Sequence, residues 1–200
     1  MNPLSTRRTS LALGLVAASL LATALATPSV AATAETSSSA RTAETSSSAR
    51  TADTRLERQV EGLLRHNEGA ERVAKDRVRL APGVEMSVVP STRAAAAGTG
   101  DCRTGYACVW QHRDATGYRL DFYNYGSYTL SNYRMPDGTS WQDQVSSYFN
   151  AQTGGAWIVG KNWVTSGGSG QLERIWGGPT YAYEALVHAN DQADVVELYP

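Results

Sequence analysis

Residues 102–122 read CRTGYACVWQHRDATGYRLDF. Two short runs rich in aromatic and β-branched residues, 106–111 and 118–123, flank a turn-forming stretch at 114–117. Side chains of the first kind suit the pleated, half-buried surface of a sheet, while Asp and Gly suit the turn between strands. The stretch therefore predicts strand, turn, strand. The same alternation continues toward the C-terminus. Residues 147–150, 156–159, 171–176 and 195–199 read as strands, separated by polar or Gly-rich stretches at 136–139, 153–155, 166–170 and 177–179. No part of this region holds a helical period over three turns, and frequent short strands with turn signals imply a β-sandwich or barrel.

Composition places the core in the same half. Every aromatic (five Trp, ten Tyr, two Phe) and both cysteines lie between Cys102 and Tyr199. Large aromatic side chains dominate core burial, so residues 99–200 are read as the folded domain. The first hundred residues hold 12 Lys and Arg against nine acids, the last hundred six against ten. A mildly acidic domain lacks the basic stripe that nucleic acid requires, which excludes that partner.

The N-terminal half reads as export and tether. Arg7 and Arg8 precede an apolar run at 11–26, followed by small-residue cleavage sites at Ala24-Leu25-Ala26 and Ser29-Val30-Ala31. That order is a secretory signal peptide, assigned to residues 1–31. The apolar run falls short of the roughly 20 residues a bilayer span needs, so a secreted, extracellular protein with no stable membrane span after cleavage is expected. The paired arginines also raise the twin-arginine route. In an exported chain the pair Cys102 and Cys108 reads as a disulfide, whose five intervening residues close a short loop eased by Gly105. The alternative, a redox or metal pair, finds neither CxxC spacing nor ligand-spaced histidines among His66, His112 and His188. Residues 34–42, AETSSSART, repeat without change at 43–51. Residues 32–53 are accordingly read as a disordered low-complexity linker. Residues 54–98 are read as a short amphipathic helix opened by a Thr54–Glu57 capping box, a hairpin around Pro82-Gly83, and a second linker at 90–100. This segment is either a pro-segment or docked on the domain.

Two similar motifs stand 48 residues apart: Gln142-Asp143-Gln144-Val145-Ser146-Ser147 and Asn190-Asp191-Gln192-Ala193-Asp194-Val195. Each places an amide and an acid before Gln and leads into a strand. Two units of about four strands each imply a duplicated Greek key. On the residues Cys102-Arg-Thr-Gly105-Tyr-Ala-Cys108-Val-Trp110 and Gly117-Tyr-Arg-Leu-Asp-Phe122, then Asn132-Tyr133, Asp143–Ser147 and Asn150, the chain resembles the secreted actinobacterial peptidase inhibitors. Their namesake is the streptomycete metalloproteinase inhibitor. Upstream, Arg79-Leu-Ala-Pro-Gly-Val84 continues the match. The resemblance implies an all-β, βγ-crystallin-like sandwich of two Greek keys, and a non-enzymatic module whose partner is an extracellular peptidase.

No catalytic constellation stands against that reading. Gly167-Gly168-Ser169-Gly170 lacks the last Gly of a nucleophile elbow, because Gln171 follows. Crystallin-type calcium sites use an Asn/Asp pair, two free residues, then Ser/Thr and Ser, so Asp143, Ser146, Asp191 and Asp194 are the calcium candidates. Gln142 and Val195 depart from that pattern, so no cofactor is expected, a weak calcium site being the one alternative. Tyr118, Phe122, Tyr148, Phe149 and Trp157 sit at strand positions and are assigned to the core. Tyr123, Tyr125, Tyr128 and Tyr133 crowd a turn-rich stretch and are assigned to an exposed binding patch. The chain is expected to be a monomer. The rival reading is a calcium-binding or cell-envelope structural module that inhibits nothing.

Overall fold

The structure, a computed structural model, describes residues 37–88, 102–166 and 169–200. The signal peptide, residues 32–36 of the first linker and the second linker at 90–100 lie outside the described residues. In chain order the elements are α1 (Ser37–His66), β1 (Glu71–Ala74), β2 (Arg77–Ala81), β3 (Val84–Val88), β4 (Ala107–His112), β5 (Thr116–Phe122) and β6 (Gly126–Thr129). A 3-10 turn (Leu130–Asn132) follows, then β7 (Ser147–Asn150), β8 (Trp157–Ser166), β9 (Ser169–Pro179), β10 (Tyr183–Glu184) and β11 (Val195–Tyr199).

Antiparallel pairing sorts the strands into two sheets, β1-β2-β3-β5-β4-β7-β10 and β6-β11-β8-β9. Strands β4 to β7 form one unit and β8 to β11 a second. Each unit keeps its second, first and fourth strands side by side and sends its third to the opposite sheet, so that β6 pairs with β11 and β10 with β7. This reciprocal exchange is the duplicated Greek key. Side-chain alternation then decides what each face buries. Val109 and Leu120 pair across β4 and β5 and join Tyr148, Ile158 and Val196 in the core between the sheets. Their neighbours Cys108 and Trp110 point the other way and bury with Ala115, Phe149 and Ala151 in a second cluster on the outer face. That outer face also carries a buried ion pair, Arg119–Asp121, into which Ser87 donates at 2.7 Å.

Residues 54–88 are not separable from this domain. β3 pairs with β5 along five residues, Val84 with Phe122 through Val88 with Tyr118, so the hairpin extends the large sheet. The large sheet is thereby three strands wider than its partner, and α1 covers the excess. Val60 and Leu63, both 0% exposed, join Val78, Val84 and Met86 in the one central cluster. Gly62 sits against the Pro136 carbonyl, where no Cβ fits. Asn67 closes the helix by donating to the Leu63 carbonyl, and it exchanges two further hydrogen bonds with the backbone of Arg134.

Of the two readings of residues 54–88, the pairing of β3 with β5 is the docked one. Two other expectations are corrected here. The helix begins at Ser37, within the stretch read as a disordered linker. Its repeat mixes Ala, Glu and Arg, good helix formers, with the Ser and Thr that dominated the reading. The capping box is not used: Thr54 lies inside the helix and its hydroxyl donates back to the Arg50 carbonyl at 2.9 Å.

Candidate functional site

Strand directions gather five connections at one end of the large sheet. β3 and β4 start there, β5 and β7 end there, and β10 starts there. Across that end lie, in order, the 82–83 turn, residues 123–125, residues 102–106, residues 151–155 and residues 179–182. The disulfide Cys102–Cys108, with Cα atoms 6.0 Å apart, closes the middle loop as the cysteine spacing implied. Gly105 N donates to the Ala151 carbonyl at 2.8 Å, tying this loop to the next. Arg103 lies 3.9 Å over the Tyr106 ring and donates to Glu85 at 2.7 Å. Tyr106 in turn packs on Tyr123, with ring centroids 5.3 Å apart.

Asn150 braces the other side. It is fully buried; its amide donates to the carbonyls of Ala156 and Gly178, and its Oδ1 accepts from Gln152 N. Its own backbone exchanges bonds with the last turn: Tyr181 N donates to Asn150 O at 2.6 Å, and Asn150 N donates to Ala182 O at 2.9 Å. The middle loop is thus closed by the disulfide, and the loops of this end are tied to one another by the Gly105–Ala151 hydrogen bond, the Tyr106–Tyr123 ring contact and the buried Asn150. Such bracing lowers the ordering cost of binding.

The two acid motifs meet at the opposite end of the large sheet, beyond the start of β7. Asp143 N donates to Ala193 O at 3.0 Å and Asp191 N donates to Val145 O at 3.2 Å, a reciprocal pair. Both aspartates have left-handed backbones, φ 59° and 53°. Side chains repeat the cross-link, with Ser146 Oγ donating to Asp191 Oδ1 at 3.1 Å and Gln142 Nε2 to Asp194 Oδ1 at 2.6 Å. Asn190 Nδ2 donates to Asp191 Oδ2 and Trp163 N to Asp194 Oδ2, each at 2.6 Å. Both carboxylate oxygens of Asp194 thus accept internal donors, while Asp191 Oδ1 shares the one Ser146 hydroxyl proton with the Gln111 carbonyl, 2.7 Å away. Partial burial, then the charges of Asp194 and Asp191, hold the Asp143 carboxyl above its usual range. Among the described residues no three His, Cys, Asp or Glu side chains converge as metal ligands. The fold brings the two motifs together, and in this arrangement their side chains form a hydrogen-bonded latch.

The tyrosine patch divides. Tyr125 is 53% exposed and Tyr123 half-buried, both on the braced end. Tyr128 is half-buried against Phe122, its hydroxyl donates to Asn124 O at 2.7 Å, and burial raises its pKa. Tyr133 is not on the surface: it is 8% exposed, belongs to the central core, and burial pushes its hydroxyl up to about 12. The segment after β6 folds inward, burying Leu130, Met135 and Trp141 as well. Three residues of the braced end were not singled out from the sequence: Arg103, Tyr106 and Tyr181. Tyr181 stands two residues beyond the end of β9 at Pro179, in a turn that the Gly177-Gly178-Pro179 reading placed too early.

Residues 95–169, over a third of the chain, match the sequence profile of peptidase inhibitor family I36. No curated protein matches the chain. One solved structure, described by the words "Evolution of the eye lens beta-gamma-crystallin domain fold", aligns with 13% identity and a TM-score of 0.36, over 58% of this chain and 96% of its own. No helix among the described residues is long and apolar enough to cross a membrane.

Proposed function

We propose that this chain is a secreted, non-enzymatic inhibitor of extracellular peptidases. The observation that carries the reading is the family I36 match over residues 95–169, and the geometry inside that span agrees with it. A peptidase cleft binds and cleaves an extended, adaptable segment. An inhibitor resists by presenting loops whose bound conformation already exists, so that little ordering free energy is lost on docking. Three of the braced loops, 102–106, 123–125 and 151–155, fall within the matched span, and the disulfide closes the first of them. The bridge also accords with an oxidising, extracellular setting. The test is titration of the purified full chain against thermolysin and subtilisin, as probes of the metallo and serine classes. Loss of peptidase activity near one equivalent, with the chain recovered intact, is the expected result. Full activity of both enzymes at a large excess of the chain would refute it.

A further inference from the structure

The braced end carries one charge and several rings. Of the residues in its five connections only Arg103 is ionised, and Glu85, 8% exposed, accepts from its guanidinium at 2.7 Å. Tyr, Gly and Thr supply most of the rest, the composition of loops that bind protein through aromatic contacts with few charges. One ring is set apart. Tyr181 is the third residue of a turn closed by Ala182 N donating to Pro179 O at 3.0 Å, and its φ is +66°. Positive φ at that place is normally filled by Gly or Asn, because a Cβ crowds the backbone there. A bulky aromatic held in such a conformation is strained unless its surroundings gain from it. The fold gains nothing from this ring: Tyr181 is 67% exposed, the most exposed of the large apolar side chains, and it has no hydrogen bond or ring contact of its side chain among the described residues. Yet its backbone is fixed by Asn150, so the ring projects from a rigid support. Trp163, the next most exposed at 56%, differs because its indole lies over Gly170 and covers the ribbon it belongs to.

We propose that Tyr181 is the anchor this chain inserts into a peptidase, filling an uncharged subsite that accepts a large apolar or aromatic side chain, with Tyr125 on the same rim as a flanking contact. The proposal rests on the inhibitor reading above and adds to it the residue and the specificity class. Residue 181 lies beyond the matched span, which ends at 169. It also excludes the other candidate on this rim. Arg103 is already spent on Glu85 and the Tyr106 ring, so a peptidase with an acidic primary subsite finds no free cation.

The experiment measures inhibition constants of the full chain against thermolysin, subtilisin and trypsin for wild type, Tyr181→Gly and Tyr181→Phe. Gly suits the turn and removes the ring, so an unchanged or higher melting temperature certifies its fold. The expected result is inhibition of thermolysin or subtilisin, a loss of about tenfold or more in Tyr181→Gly, and retention in Tyr181→Phe. Equal inhibition by wild type and Tyr181→Gly overturns the anchor while leaving the inhibitor reading standing. Tighter inhibition of trypsin than of the other two overturns it in favour of Arg103. No inhibition of any of the three overturns the inhibitor reading and the anchor with it.

Discussion

Replacing Gly62 by Ala sets two rules of helix energetics against each other. In an exposed helix interior the change stabilises by about 1 kcal/mol, since Gly loses more backbone entropy than Ala on ordering. In this structure the new methyl would run into the Pro136 carbonyl, which is backbone and cannot rotate away. Overpacking of that kind costs about 1–3 kcal/mol, so the net effect is about 0–2 kcal/mol of destabilisation. For a domain of this size each kcal/mol moves the midpoint by about 2–4 °C, and the melting temperature should fall by up to about 8 °C. Leu63→Ala, one residue on, supplies the scale. It empties a fully buried site at a cost of about 2–5 kcal/mol. Thermal melts of the full chain followed by circular dichroism read both. If α1 were a detachable pro-segment, it would not unfold together with the domain, and Gly62→Ala would leave the midpoint unmoved. Leu63→Ala would then stay within about 0.5 kcal/mol of wild type. That pair of results would refute the docking of α1.

Native protein should show no free thiol, and reduction of Cys102–Cys108 should lower stability by about 2 kcal/mol on the chain-entropy model; two thiols titrating before reduction would contradict this. Asp143 has a folded-state pKa above its ordinary value, so ionising it opposes folding, and the penalty is present above the folded pKa and relieved as pH falls through it. Asp143→Asn, which keeps a residue tolerant of positive φ, should therefore melt higher than wild type at neutral pH, with the gap closing in acid; a gap independent of pH would exclude titration as the cause. Calcium at about 1 mM should add far less than the roughly 2.7 kcal/mol of a site held at a hundred times its dissociation constant, and Asp194→Ala should abolish any response at higher concentration. A full-sized rise in the melt would show that the latch opens to take the ion.

The strands that could be read from the chain are those whose two faces differ in burial or whose ends carry turn residues. β7 and β11 stand at 147–150 and 195–199 as read, and β4 and β5 lie within two residues of their expected limits. β8 and β9 run well past theirs. Beyond Lys161, where the ladder to β11 stops, they pair only with each other, and a ribbon wet on both sides has no alternation to detect. β10 spans two residues and is defined wholly by its partner β7. The site shows the same limit. Paired acid motifs were legible because their spacing repeats, and the structure brings them together. Tyr133 was not legible as core, because its burial depends on the turn after β6 folding inward. Tyr181 was equally hidden: its backbone conformation is imposed by Asn150, thirty-one residues earlier, and no local pattern encodes it.

The last strand in chain order, β11, occupies an inner place in the smaller sheet, between β6 and β8. As the chain is synthesised or emerges from a membrane, β6 has no neighbour in that sheet, and β8 has only β9, until residues 195–199 arrive. Closure of the sandwich therefore waits on β11 to appear. Before that moment two strand edges and the apolar side chains beneath them, Leu130 and Ile158 among them, lie open. Until residues 195–199 pair, the growing chain is thus exposed to aggregation and to proteolysis along those edges.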